Sequence, residues 1–579
     1  MTMLTKWGAA LDRSCPLPEY PRPQLRRESF YNLNGVWDYA ITASGDEPEV
    51  WDGEIVVPFS PEAPLSGAAR GPAKDEFLHY RRSFTLPDGF RKDRVLLHFG
   101  AVDQIAEVFV NGVSAVKHSG GYWPFSADIT SLLREGENVL CVTVRDNADD
   151  PTFAYGKQRY KRGGMWYTAQ SGIWQTVWLE SVPEVHIVSL RITPEFDDAR
   201  VRIELETAGE SRAAITCDVR GEDGSFVAGS WAKGGVCVVP LPGFHAWTPD
   251  DPYLYALDIT CGEDHVESYF AMRKFSYVEH NGHKVFGLNN VPLFHNGLLD
   301  QGYYPDGLLT PPSDEAMVHD IETMKRCGFN MLRKHIKIEP LRWYYHCDRL
   351  GMIVWQDMVS GGQPYSFLHV SALPTLGVVD LPDRDAKLYG RSGMLSRARF
   401  RCEMADTVRH LYNCPCIALW TVFNEGWGQF DALEMANELK MLDATRFIDH
   451  ASGWQDQGRE EMKSRHIYFR PVKLKNDGRA LALTEYGGYV LAVDGHRWTD
   501  KVFGYRICRD AAALTRDYEK LMLGQVLPHI RAEGLTAAVY TQITDVEEEL
   551  NGLMSYDREV LKIPEETLRE INAALHFDA

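Results

Sequence analysis

Hydrophobic and polar residues alternate along the first third of the chain in short runs. Residues 94–99, 106–110, 138–144 and 174–179 are β-branched and aromatic, with the period of two that marks half-buried strands. The second run ends at Asn111-Gly112, a strong hairpin signal. Pro and Gly punctuate the gaps, as between Pro58 and Gly67. This rhythm predicts a β-sandwich over residues 1–184, closed by Pro183. Shorter alternating runs at 201–205, 214–219 and 254–259 predict a second, immunoglobulin-like sandwich over 185–277.

Beyond Phe275 the period changes. Met317, Val318, Ile321 and Met324 form a helical stripe over 314–327, with Ser313 as N-cap, Asp314 and Glu315 in the first turn, and Gly328 as the stop. Helices are predicted likewise at 341–350, 396–412, 433–442 and 517–531. Short apolar runs at 291–294, 329–332, 352–355, 417–423, 446–448, 464–468, 481–484 and 535–540 supply eight candidate strands. Strands alternating with helices imply a parallel sheet, and eight of them over 278–579 predict a (β/α)8 TIM barrel.

Composition removes several function classes. The chain has 61 Lys and Arg against 81 Asp and Glu, a net charge of −20, so a nucleic-acid partner is not expected. The local basic stretch Arg159-Tyr-Lys-Arg162 reads as a solvated loop. No apolar run approaches the ~18 residues of a membrane helix, and Met1-Thr-Met-Leu-Thr-Lys-Trp7 has no apolar signal core, so no membrane partner and a cytoplasmic location are expected. The eleven scattered cysteines then read as reduced thiols. Cys414-Pro-Cys416 is too tight for a zinc pair, and Gly361-Gly362 lacks the Lys-Ser/Thr of a phosphate loop, so neither metal nor cofactor is expected. Aromatic residues make up 11% of the chain, suited to core packing or to stacking on sugar rings.

In a barrel of this kind the active site lies at the C-terminal ends of the strands. Two glutamates stand there directly after apolar runs: Glu425 in Ala418-Leu-Trp-Thr-Val-Phe-Asn-Glu425, and Glu485 in Ala482-Leu-Thr-Glu485. An unpaired charge at such a position is costly, so the pair reads either as rim ion pairs, with Arg333 as a partner, or as working acids. Two carboxylates with different surroundings suit glycosidic hydrolysis, one donating a proton and one stabilising or attacking an oxocarbenium-like centre. Asp300 and Asp357 could bind ring hydroxyls, or cap loops. Trp355, Trp427 and Trp454 could line a sugar subsite, or pack the rim. His335 and His450 read as satisfied rim histidines.

At these residues the chain resembles glycoside hydrolase family 2, the family of β-galactosidases, β-glucuronidases and β-mannosidases. Leu33-Asn-Gly-Val-Trp37, Phe109-Val-Asn-Gly112 and Ser171-Gly-Ile-Trp-Gln-Thr-Val-Trp178 resemble its jelly-roll sugar-binding domain. Asn424-Glu-Gly-Trp427 resembles the acid/base motif, Leu483-Thr-Glu-Tyr-Gly-Gly488 the nucleophile motif, and Asn330-Met-Leu-Arg333 the segment ending in an active-site Arg. Asp443-Ala-Thr-Arg446, Ala451-Ser-Gly-Trp454 and Tyr540-Thr-Gln-Ile-Thr-Asp-Val-Glu547 also resemble barrel segments of the family.

The resemblance implies Glu425 as general acid/base, Glu485 as nucleophile, Asn424 as a hydrogen-bond partner of the sugar 2-hydroxyl, and Arg333 and Tyr468 as groups that hold Glu485 ionised. It implies retention of configuration, with carboxyl groups about 5–5.5 Å apart. The implied substrate is a small glycoside or oligosaccharide, and homo-oligomers are common in the family. In place of the His-rich segment of large bacterial β-galactosidases the chain carries Asn296-Gly-Leu-Leu-Asp-Gln-Gly302. After Asn551-Gly552 it has Leu553 and Met554 rather than the Lys of β-glucuronidases. A neutral exo-β-glycosidase, with a β-galactoside as first choice, is expected ahead of a β-uronidase or an α-L-arabinopyranosidase. Outside catalysis, the alternative is an inactive carbohydrate-binding protein.

Overall fold

The computed structural model describes residues 3–209, 214–458 and 461–578. Its N-terminal part is a sandwich of a six-stranded and a four-stranded antiparallel sheet. In the strand Glu137–Arg145 alternate residues Leu140, Val142 and Val144 point inward and are buried, as the period of two requires. Asn111 and Gly112 both have positive φ (52° and 80°), and Val110 pairs with Val113 across the turn. That is the backbone hand a two-residue hairpin needs, and Asn-Gly supplies it with little strain.

A three-stranded sheet (His186–Glu195, Arg200–Ala208, Val236–Pro240) and a four-stranded one (Phe226–Ala232, Ile215–Arg220, Tyr255–Cys261, Asp264–Phe270) build the smaller sandwich. One buried arginine joins the two. Arg27 donates to both oxygens of Asp264 (2.9 and 2.8 Å), to Glu180 (3.0 Å) and to the Ile187 carbonyl (2.6 Å). Although burial works against its charge, Glu180 is held far below the usual carboxylate range, chiefly by Arg22, His98 and Arg27.

The remaining strands form one parallel eight-stranded sheet: β1 His295–Asp300, β2 Met331–Lys334, β3 Ile353–Asp357, β4 Ile417–Thr421, β5 Phe447–Asp449, β6 Met462–Ile467, β7 Ala480–Gly487 and β8 Leu535–Thr541. The hydrogen-bonded order runs 5-4-3-2-1-8-7-6, so β1 and β8 pair and the barrel stays open between β5 and β6. Helix α1, Asp314–Arg326, starts where Ser313 accepts from the Ala316 N–H. Helix α2, Leu341–Leu350, stops at left-handed Gly351.

Three details depart from the sequence pattern. The run 291–294 is not the first barrel strand. Val291–Pro292 instead pairs antiparallel with Gly287 and Leu288, in a small sheet with Phe275–His280 and His283–Leu288. Pro292 lacks the N–H that an interior strand must donate, which suits this edge position. That small sheet closes the barrel floor, where Phe286 stacks on Phe447 with centroids 4.2 Å apart. The last long helix begins at Ala511 rather than 517, capped by Asp510 on the Ala513 N–H, and runs through Met522–Val526 into Leu527–Glu533. Among the described residues no helix follows β5 or β6; irregular chain covers the barrel there. No described helix is long and apolar enough to cross a membrane, and all eleven cysteines are free thiols.

Arg27→Ala leaves the buried Asp264 without its arginine partner and Glu180 with Arg22 as its remaining arginine. Stability should fall by about 3–5 kcal/mol, read as a lowered urea midpoint of the first unfolding transition.

Candidate active site

The C-terminal ends of the strands open into a cavity of about 310 Å³. Asn424, Glu425, Trp427, Trp454, Tyr468 and Glu485 all line it. The two glutamates come from opposite sides of the barrel. Glu485 lies within β7, while Glu425 follows β4 on a left-handed residue (φ +55°). Few non-glycine residues adopt that conformation unless the surroundings impose it. Here the Glu425 N–H donates to the Ser452 carbonyl (2.9 Å), and its own carbonyl accepts from the Trp454 indole (2.8 Å).

One cation organises the floor. Arg333, at the end of β2, has no solvent exposure and donates to both oxygens of Asp357 (2.9 and 3.0 Å), to Glu485 (3.2 Å), to the Thr484 carbonyl (3.0 Å) and to Asn424 Oδ1 (2.8 Å). Tyr468 donates to the other oxygen of Glu485 at 2.5 Å. Glu425 has a sparser set: its Oε1 contacts His466 Nδ1 at 2.8 Å. One oxygen of each carboxylate and one ring nitrogen of His466 all lie within 4.8 Å of one another.

Burial raises both acids, but unequally. It pushes Glu425 up to about 7, opposed by Lys157 and Arg333. Glu485 is also raised by burial, with His466, Arg333 and the Tyr468 hydroxyl pulling the other way. Glu485 thus has the donors that favour an anion, and Glu425 is poised to hold a proton near neutral pH.

Asp300, Asp357 and Trp355, each predicted as a substrate contact, are absent from the cavity wall, and Arg333 lies beneath it. Asp300 is tied to Lys334 Nζ (2.6 Å) and caps the Gly302 N–H (2.8 Å). That lysine is buried and shared with Glu339, so Asp300 balances charge inside the barrel rim rather than facing a sugar. Asp357, 1% exposed, lies beneath the site as the bidentate partner of Arg333. Trp355 is also fully buried and donates to His295 Nδ1. His450 is paired with Asp456 (3.3 Å), whereas His335 lines the cavity, 3.5 Å from Glu485.

Most of the other wall residues were not apparent from the sequence. His466 ends the weakly patterned β6. Tyr505 stacks on Tyr468 with centroids 3.7 Å apart, and Glu549 comes from the segment after β8. The N-terminal sandwich supplies Lys157, Met165 and Trp166. Its loop is pinned to the barrel by Tyr167 hydroxyl to Glu549 (2.5 Å), Thr168 N–H to Glu547 (2.8 Å) and Gly164 N–H to Glu548 (3.0 Å). The basic stretch expected to be a solvated loop is exposed at Tyr160, Lys161 and Arg162 and lines no part of the cavity, but it braces the wall from behind: Arg159 lies 4.4 Å over Trp166, and Arg162 is 3.6 Å from Glu547. The only sequence sign was a basic, aromatic loop far from the barrel. A larger cavity, about 500 Å³, lies where the three domains meet and shares no lining residue with this site.

Residues 65–183 match the sugar binding domain of glycosyl hydrolases family 2, residues 185–273 that family's middle segment, and residues 312–472 its TIM barrel domain. Among curated proteins the chain is 26% identical over 387 residues to a β-galactosidase of Thermoanaerobacter pseudethanolicus, covering 63% of this chain and 47% of that one. It is 23% identical over 459 residues to the β-glucuronidase of Felis catus, covering 70% and 65% respectively. The chain therefore spans about half or less of the first curated relatives it matches. Among solved structures, a β-glucuronidase from an uncultured Clostridium superposes with TM-score 0.74 at 19% identity over 95% of this chain and 98% of that one. A β-galacturonidase from Eisenbergiella tayi superposes with TM-score 0.71 at 19% identity, over 96% and 98%.

The carboxyl asymmetry can be measured without any substrate. Carboxyl-labelled NMR should show, beside the likewise raised Glu62 and Glu403, one further glutamate resonance titrating near pH 7, protonated below and ionised above. That resonance should vanish in Glu425→Gln and persist in Glu485→Gln.

Proposed function

Because the chain belongs to glycoside hydrolase family 2, we propose that it is a retaining exo-β-glycosidase acting on small glycosides, with a β-galactoside as the first-choice substrate. The observation that carries this reading is the carboxylate pair, with oxygens within 4.8 Å and unequal sets of donors. That spacing leaves room for a nucleophile at the anomeric carbon. The ~6.5–9.5 Å of inverting enzymes would hold a water in between.

In this reading Glu485 attacks the anomeric carbon as Glu425 protonates the glycosidic oxygen. The C–O bond breaks, the aglycone leaves as an alcohol, and a glycosyl ester forms on Glu485. Water, deprotonated by Glu425, then attacks the same carbon and frees Glu485. Arg333 and Tyr468 hold Glu485 ionised and fix its direction. Arg333 can only donate, so its contact to Asn424 Oδ1 leaves the Asn424 amide N–H groups to donate elsewhere, in this reading to the sugar 2-hydroxyl. Trp427 and Trp454 give the sugar apolar walls.

The wall favours a neutral sugar at Glu549, whose carboxylate suits hydroxyls and repels a uronate. Lys157 favours a second reading as a β-uronidase. It lines the cavity and, among the described residues, has no carboxylate within 4.0 Å. An α-L-arabinopyranoside would fit the neutral wall equally.

A set of p-nitrophenyl β-galactoside, β-glucuronide and α-L-arabinopyranoside tests the reading, with the product anomer followed by NMR. The β-anomer should form first from the galactoside; an α-product would overturn retention. Glu485→Gln should abolish turnover, and unchanged turnover would favour an inactive binding protein. Glu425→Gln should slow an alkyl galactoside by about 10²–10⁴-fold, and a dinitrophenyl galactoside far less in its glycosylation step, because that leaving group needs no proton. For wild type, kcat/KM should fall above about pH 7 as Glu425 loses its proton, and fall in acid as Glu485 gains one. Lys157→Ala should leave galactoside turnover within a few-fold; a selective loss on the glucuronide would establish the uronidase reading.

A further inference from the structure

We propose that His466 is a positioning residue for Glu425: its Nδ1–H ties down one carboxyl oxygen, so that the other carries the catalytic proton toward the leaving group. The proposal rests on the assignment of Glu425 as acid/base.

The argument begins with the ring's proton. His466 Nε2 lies 3.4 Å from Arg333 Nη1 and 3.2 Å from the Ser452 hydroxyl. Arg333 has no lone pair to offer, so Nε2 must present its own, and the proton of the neutral ring sits on Nδ1. That Nδ1 is 2.8 Å from Glu425 Oε1 and 3.6 Å from Glu485 Oε2, so its hydrogen bond belongs to Glu425. Burial depresses the ring's basicity to about 3, which keeps it neutral across the range in which Glu425 titrates. His466 therefore acts as a fixed dipole and not as a rival acid.

The surroundings hold the ring in that pose. His466 is fully buried at its side chain, and Trp454 meets it edge-on at 5.5 Å. Gly453 lies against its face: a Cβ there would come within 2.6 Å of both Cγ and Nδ1. With φ at +92°, Gly453 also occupies backbone space that a side chain would strain. Trp454, on the next residue, binds the Glu425 carbonyl, so one short segment places both the ring and the acid it serves. Other groups also act on this acid. Lys157, Arg333, Glu485, Glu549, Tyr365 and Tyr505 all influence Glu425 electrostatically. Arg333, Arg465 and Glu485 act on His466 itself. The test must therefore change the hydrogen bond and leave those charges in place.

His466→Phe removes both ring nitrogens at similar volume, and His466→Asn keeps a donor near the Nδ1 position. In His466→Phe the basic limb of kcat/KM for an aryl β-galactoside should rise by about one pH unit, since the lost donor favoured the ionised acid. The same variant should lose roughly 10-fold or more in kcat/KM on a phenyl galactoside and under about 3-fold on a dinitrophenyl galactoside. His466→Asn should restore most of both. An equal loss on both substrates with an unmoved basic limb would overturn the proposal, as would an Asn variant no better than Phe. The Glu425 carboxyl titration, followed by NMR, gives a readout that needs no turnover. An upward shift in His466→Phe supports the contact even if galactosides are not substrates. If Glu425→Gln itself shows no leaving-group dependence, the acid/base assignment fails rather than the contact.

Discussion

The candidate site depends on one buried guanidinium. A charge with no solvent exposure is expensive unless every donor is met, and Arg333 meets its donors with groups from four other barrel strands or their ends. Asp357 takes two of its hydrogens as a fork and supplies a full counter-charge. What remains points at Asn424, Glu485 and His466. Arginine fixes these three together because its fork is planar and rigid; a lysine could hold no such pattern. The spacing of the two carboxylates is thus tied to the same hub, directly through Glu485 and indirectly through Asn424 and His466.

The second constraint is that the barrel does not finish its own wall. Trp166 and Lys157 reach the cavity from the first sandwich, and three consecutive glutamates after β8 hold that loop in place. The sandwiches are in turn held together through Arg27, between Glu180 and Asp264. The first sandwich is thus fixed at two separate places, to the barrel rim through that loop and to the second sandwich through Arg27. This gives the N-terminal domain a physical part in the pocket, beside whatever it binds elsewhere.

Much of this was legible in the sequence for particular reasons. The barrel strands are short and apolar on both faces, so runs such as 417–423 and 535–540 stand out, and a carboxylate or arginine directly after one is conspicuous. Glu425, Glu485 and Arg333 are residues of that kind. Strand β1, His295–Asp300, carries His, Asn and Asp, and the more apolar run 291–294 before it drew the prediction instead. Among the described residues no helix follows β5 or β6, so there was no periodic stripe to miss. Asp300 and Asp357 were misplaced because a sequence shows that an acid follows a strand but not which buried cation it faces. Glu549 meets Tyr167 across 382 positions, and no local pattern encodes such a contact.

The same geometry explains how two like acids can take unlike roles within one small cavity. Burial alone would raise both and leave them interchangeable. The difference comes from hydrogen bonds: Glu485 receives Arg333 and Tyr468, one on each oxygen, while Glu425 receives one neutral donor on a single oxygen. The first arrangement stabilises an anion with lone pairs aimed by rigid partners. The second leaves an oxygen free to carry a proton, on a backbone held at an unusual φ. Each acid also raises the cost of ionising the other, so a proton held on Glu425 eases the charge on Glu485, and ester formation at Glu485 would ease ionisation of Glu425. The coupling therefore runs in the direction that a two-step displacement needs: the acid of the first step becomes the base of the second.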